Sequence, residues 1–304
     1  MSNAANTGPQ SERWLRRTVM LPYFWLLLFF LAPFLIILKI SLADPVVAQP
    51  PFTALLQWGR DGFEGIRATF DNYLFLFEDS YYAIIYLSSL KMAAIGTLLC
   101  LLLGYPMAYF IARQPPRRRQ ILLLGVILPF WISFLLRVYA WIGLLSNKGV
   151  INHFLLGLGV IDRPLVMLYN DFAVYLGILY SYLPFMILPL YANLERHSKD
   201  LLEVAADLGA RRWQVFLDVT LPLSKPGIIG GCLLVFIPAV GEFTIPALLG
   251  GADTLMIGRV LWDEFFVSRD WPVASAVSVV LLLLLIAPIL WFQHHQTREQ
   301  EAGR

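Results

Sequence analysis

Six apolar runs constrain this chain more than any other feature, because each is near or above the ~20 residues that a helix needs to cross a bilayer. They lie at about Met20–Leu42, Tyr82–Ala112, Gln120–Leu145, Phe172–Leu194, Pro226–Leu249 and Val273–Phe292. In lipid every backbone N–H and C=O must find a partner within the protein, and a run of this length does so as a helix. The expected fold is all-α: a polytopic membrane protein with six transmembrane helices over residues 20–293, and tails at 1–19 and 294–304. Composition agrees, since 58% of the 304 residues are hydrophobic, 14% are charged and the mean hydropathy is +0.66, which is too apolar for an ordinary soluble domain. The first run is too long for the apolar region of a signal peptide and lacks a small-residue cleavage site, so it reads as a retained span.

A net charge of +2 gives no basis for nucleic-acid binding, but the placement of the charges is informative. On the side of the termini lie Arg13, Arg16, Arg17, Arg113, Arg117, Arg118, Arg119, Arg196, Lys199, Arg211, Arg212, Lys225, Arg298 and Arg304. The other side carries Arg60, Arg67, Lys148, Arg163, Arg259 and Arg269. That is 14 against 6, and by the positive-inside rule both termini are expected in the cytoplasm. Most acids fall in the outer loops, among them Asp61, Glu64, Asp71, Glu78, Asp79, Asp253, Asp263, Glu264 and Asp270, which gives an outer mouth attractive to cations.

Inside the spans, charge is rare and therefore informative. Glu242 sits in "IPAVGEFTIPALLGG", bracketed by Pro238 and Pro246. Pro246 removes the donor that would bond the Glu242 carbonyl, and Pro238 with Gly241 weakens the preceding turn, so the backbone there is expected to unwind. Counted along straight helices from Pro226 and from Gln120, Glu242 and Arg137 fall at similar depths, roughly 24 and 26 Å. Two readings stay open: the two residues neutralise each other as an intramembrane ion pair, or Glu242 faces a path for a cation. Trp131, Tyr139, Trp141, Tyr180 and Tyr182 are candidates for cation–π contact, and Trp131, Tyr139 and Trp141 are taken with Glu242 as the candidate path. Lys39 reads as a snorkelling residue. Cys100 and Cys232 read as small buried hydrophobes, and the four histidines form no metal-ligand or catalytic set.

The longest inner loop, residues 195–225, is amphipathic where a plain connection would be polar. Asp200 with Glu203 suggests a capping-box start; Leu201, Ala205 and Leu208 share a face; and Gly209 stands where a left-handed helix stop is wanted. A second helix is expected over Trp213–Val219, ending before Pro222.

Glu203, Val204, Ala205, a gap of three, Gly209, a gap of nine, then Val219, Thr220, Leu221 and Pro222 resemble the E-A-A…G…I-x-L-P signature of bacterial ABC importer permeases. Val204 and Val219 are mild departures from it. "PFWISFLLRVYAWIGLL", "FIPAVGEFTIPALLGG" and "MIGRVLWDEFFVSRDWPVASAVS" are similar to the putrescine or spermidine branch, and the likeness runs over nearly the whole chain outside the tails. The resemblance implies a type I, MetI-like permease fold in the bacterial inner membrane and no enzymatic activity of its own. Glu203, Ala205, Gly209, Leu221 and Pro222 would couple to an ABC ATPase. No G-x-x-x-x-G-K-[ST] is present, so ATP and Mg belong to that separate subunit and this chain is expected to bind no cofactor. It further implies a second, usually non-identical permease subunit, a periplasmic polyamine-binding protein, and lipid as surroundings. A permease for another small cationic or amino-acid-like solute is the neighbouring reading. A secondary transporter would lack the coupling loop, and a membrane hydrolase would need a nucleophile with its base or a metal cluster, which the sequence does not offer.

Overall fold

The computed structural model describes residues 20–59 and 62–302. The expected tail at 1–19 and the charges Arg60, Asp61 and Arg304 lie outside the described residues. Among the described residues, four helices are long and apolar enough to cross a bilayer: α1 (Met20–Ser41), α3 (Ser80–Ala112), α7 (Asp171–Leu194) and the Trp271–Leu290 part of α13 (Trp271–Ala302). Counting each of two bent helix pairs as one span, Pro116–Trp131 with Phe134–Gly157 and Arg212–Leu223 with Lys225–Val240, makes six. The fold is all-α in its spans. One short antiparallel hairpin, β1 (Leu56–Gly59) with β2 (Gly62–Ile66), decorates the first long loop, ahead of α2 (Asp71–Glu78).

The residues fall into two units. The first comprises the described residues up to Glu78 together with Glu264–Leu282. There Asn72, 6% exposed, donates from Nδ2 to the carbonyls of Ser41 and Ala43 at 3.0 and 2.8 Å, closing the carbonyl end of α1. Ser41 Oγ and Tyr73 Oη share a hydrogen bond of 2.6 Å, Arg67 pairs with Asp44 at 3.1 Å, and Trp271 stacks on Phe265 at 4.8 Å.

The second unit is built on α3, α7 and α10 (Lys225–Val240). These helices are apolar on every side, so hydrophobicity alone does not say which face is inward. The buried stripe of α3 is marked by small residues: Ser89, Ala93, Gly96, Cys100, Gly104 and Ala108, at spacings of three and four. With no hydrophobic drive between helices in lipid, close backbone approach over small residues is what holds them. Met186 of α7, fully buried, fills the space that Gly104 and Gly231 leave for it.

Two of the expected continuous spans are broken. The third is α4 (Pro116–Ile127) with a 3₁₀ turn to Trp131, then α5 (Phe134–Leu145), and Pro116–Trp131 stands at 90° to the helical stretch Phe134–Gly157. Pro129 interrupts the hydrogen-bond ladder and Ile132 and Ser133 are extended, which turns the chain sideways. The fifth stops at Val240 and resumes as the short α11 (Thr244–Leu249), as the proline positions suggest. Between the third and fourth spans lies the short helix α6 (Val150–Gly157), pinned by Asn152, which is fully buried and exchanges hydrogen bonds with Leu165 at 2.8 and 3.0 Å.

A side chain added at Gly231 would come within 2.8 Å of Met186 Sδ, whereas one at Gly230 meets nothing within 4 Å. Gly231→Val should therefore cost about 1–3 kcal/mol by overpacking. In thermal unfolding of the detergent-solubilised chain it should melt well below wild type, with Gly230→Val close to wild type.

Candidate functional site

At the break in the fifth span, Glu242 is 8% exposed. Its Oε1 accepts from the backbone N–H of Thr244 at 2.8 Å and of Ile245 at 3.3 Å, so the carboxylate covers the open N-terminal turn of α11. Its Oε2 accepts from the hydroxyl of Tyr182 on α7. A negative group at the first turn of a helix is favoured by the N–H dipoles that have no partner within the helix. Three neutral donors thus keep a buried carboxylate where hydropathy alone would not put one.

The backbone around it is held as closely. α12 (Ile257–Trp262) passes so near the break that a Cβ on Gly258 would stand 2.6 Å from the Glu242 carbonyl oxygen. Ser89 Oγ, fully buried, accepts from Ile257 N at 2.7 Å and fixes that approach to α3. Phe243 stacks on Trp262 at 4.5 Å. The carbonyls of Gly241 and Glu242 therefore lie against α12.

Arg137 and Glu242 are not paired. Arg137 is 7% exposed, and its guanidinium sits 4.9 Å from the ring centroid of Phe130 and 5.5 Å from that of Phe134. Its Nε and Nη1 have no hydrogen-bond partner among the described residues. The similar depth expected for the two charges assumed a straight third span, and the 90° bend removes that basis. They are instead the two ends of a row of rings. Phe130 meets Phe185 edge-on at 5.2 Å, and Phe185 neighbours Tyr182 at 6.1 Å. Of the aromatics chosen for a path, Trp131 and Tyr139 are 74% and 53% exposed, and Trp141 is half-buried against Tyr180 at 5.5 Å. Tyr182, the ring that holds the carboxylate, stood among the candidates, but nothing in its spacing distinguished it from the others.

The loop over residues 195–225 is folded. In α8 (Lys199–Asp207) the cap is Ser198, whose Oγ accepts from Asp200 N at 3.2 Å, so the expected start at Asp200 moves two residues earlier, to a hydroxyl. The stop is as expected: Gly209 has φ +85, with Gly209 N to Ala206 O at 2.9 Å and Ala210 N to Ala205 O at 3.1 Å, a Schellman end. The next helix, α9 (Arg212–Leu223), runs past Pro222. It contains a π turn at Val215–Thr220, immediately before the last residues Leu221–Leu223 in which Pro222 lies. Phe216 seats α9 edge-on against Tyr105 and Tyr109 of α3, at 5.7 and 5.9 Å, and Tyr105 Oη bonds Ser224 Oγ at 2.9 Å. Glu203 and Pro222 are exposed and Ala205 and Leu221 half-buried, while Leu201, Val204 and Leu208 present apolar surface at 50%, 55% and 83% exposure.

Residues 100–299 match the family described as the inner membrane component of binding-protein-dependent transport systems. The chain belongs to that family. It is 42% identical over 88% of its length to the spermidine/putrescine transport system permease protein PotB of Haemophilus influenzae, covering 89% of that protein. To the Escherichia coli protein of the same name it is 43% identical, over 86% of this chain and 90% of the relative. The fold is that of a solved bacterial alginate ABC transporter chain, with a TM-score of 0.68 and 20% identity over 94% of this chain and 95% of the other. This permease chain is thus a multi-pass inner membrane protein and a transport subunit without enzymatic activity of its own.

Replacing Tyr182 with Phe leaves Glu242 Oε2 without its donor in a buried setting, and should lower unfolding stability by about 1–3 kcal/mol. Trp131→Phe, at an exposed position, should stay within about 0.5 kcal/mol of wild type in the same denaturant titration.

Proposed function

We propose that this permease carries polyamines, putrescine and/or spermidine, inward across the cytoplasmic membrane, driven by ATP hydrolysis on a separate ABC ATPase. The observation that carries this reading is the identity of 42–43% to spermidine/putrescine permeases over most of both chains. In this reading a periplasmic binding protein delivers the substrate, and a second, non-identical permease chain completes the pore. Both termini face the cytoplasm, with the loop of α8 and α9 on the same side.

Glu242 is the countercharge along the path, with Trp131, Tyr139 and Trp141 as aromatic wall. Its hydrogen bonds to Tyr182 and to two backbone N–H groups come from neutral donors, so they position the carboxylate without cancelling its charge. Pairing with Arg137 would have cancelled it. At about 4 Å and an effective dielectric of 20, such a charge offsets roughly 4 kcal/mol of an ammonium's desolvation. Glu242→Gln should reduce polyamine uptake strongly in cells while the ATPase still co-purifies, and adding Arg137→Gln should not restore transport. Near-normal uptake by Glu242→Gln would reject the path role, and restoration by Arg137→Gln would show a functional pair.

Glu203, Ala205, Gly209, Leu221 and Pro222 frame the surface that meets the ATPase, with Leu201, Val204 and Leu208 as its apolar face. A side chain at Gly209 meets nothing within 4 Å, so Gly209→Glu acts through its left-handed φ, at a cost of about 1–2 kcal/mol. It should insert normally and lose the ATPase on co-purification; retention of the ATPase with normal transport would refute the assignment. For orientation, a cysteine at Asn147 should be labelled from outside intact cells and one at Ser198 should not, and outside labelling at Ser198 would invert the topology.

A further inference from the structure

We propose that this permease holds one anionic phospholipid, with its phosphate on Arg117 and Arg118 and one acyl chain in the crevice between α3, α4 and α7. The crevice is a cavity of about 400 Å³, and its walls are apolar side chains apart from the hydroxyl of Tyr180. Met107 and Phe110 of α3 form one wall, Ile121 and Leu122 of α4 the other, and Tyr180 and Pro184 of α7 lie between them. Its rim opens outward, with Ile121 68% and Phe110 57% exposed. At Gly125, on the α4 wall, an added Cβ would meet nothing within 4 Å. Apolar space of this size at membrane depth forfeits dispersion contacts unless something apolar fills it, and in a bilayer the abundant filler is an acyl chain.

Charge decides which lipid. Arg117 and Arg118 stand one helical turn before Ile121 and Leu122 on the same face of α4, and both are exposed. Among the described residues neither is in an ion pair, whereas the adjacent Arg119 is bound to Glu195 at 2.7 Å. Two free guanidiniums at the mouth of an apolar slot match a phosphodiester with its tail below. The distance also fits: from Arg118 to Pro129 the helical rise is about 16 Å, close to the ~15 Å depth of one leaflet's hydrocarbon. Pro129 lines the far end of the crevice and belongs to the 3₁₀ turn where the third span bends, so a bound tail braces that bend from the lipid side.

The test is native mass spectrometry of the full-length chain released from vesicles of phosphatidylcholine and phosphatidylglycerol. Wild type should retain one phosphatidylglycerol in preference to phosphatidylcholine. Arg117→Gln with Arg118→Gln should weaken that retention by roughly fivefold for each arginine removed. Gly125→Leu, which fills the slot, should abolish retention of either lipid although both arginines remain. Equal retention of the two lipids by wild type, or undiminished phosphatidylglycerol on Gly125→Leu, would overturn the proposal. A folding-independent check uses the unaltered chain: phosphatidylglycerol with a mid-chain photoreactive group should crosslink to the stretches around Gly125 and Tyr180. Labelling elsewhere, or protection of these stretches by a second permease chain, would show that lipid is not the occupant.

Discussion

A helix broken inside a membrane leaves backbone groups that lipid cannot satisfy, and how this chain meets that demand governs the rest of its architecture. At Gly241–Phe243 the first N–H groups of α11 are met by the carboxylate of Glu242, two and three residues before them. The carboxylate in turn takes the hydroxyl of Tyr182 from the fourth span. The carbonyls of the same break lie against Gly258, at a distance that only a residue without a Cβ permits. One acidic side chain, one phenol and one glycine therefore make an irregular span tolerable. They also tie the fifth span to the fourth and to the helix that follows it.

The third span is broken by a different device. Its bend is enclosed by rings, with Arg137 set between Phe130 before the break and Phe134 after it. Cation–π contact with the two rings offsets part of what burying this guanidinium costs. The two breaks communicate through Phe130, Phe185 and Tyr182, all in ring contact. By contrast α3 and α7 run unbroken, and they meet α10 over small residues such as Gly104 and Gly231. The loop over residues 195–225 is attached to α3 through Phe216 and Ser224, both on Tyr105.

Much of this was legible in the chain itself. Run lengths located the spans, and the Gly209 stop followed from local chemistry, as did the unwinding near Pro238 and Pro246. The bend of the third span was not legible, because Pro129 sits in an apolar run that hydropathy reads as continuous. With the third span taken as straight, Arg137 and Glu242 fall at similar depth, which is what leaves an ion pair open as one of two readings of the sequence. The choice of Tyr182 over four other aromatics depends on helix rotation, and in helices apolar on all sides no periodicity reports rotation. The inward faces were marked only by small residues such as Gly104 and Gly231. The run of α9 through Pro222 depends on a π turn, which shifts where a proline is tolerated.

Glu242 is held by neutral donors and not by an opposite charge. Double-mutant cycles on unfolding free energy, pairing Glu242→Gln with Tyr182→Phe and separately with Arg137→Gln, measure this directly. The expected coupling is about 1 kcal/mol or more for Tyr182 with Glu242, and near zero for Arg137 with Glu242. A large coupling to Arg137 with none to Tyr182 would contradict it.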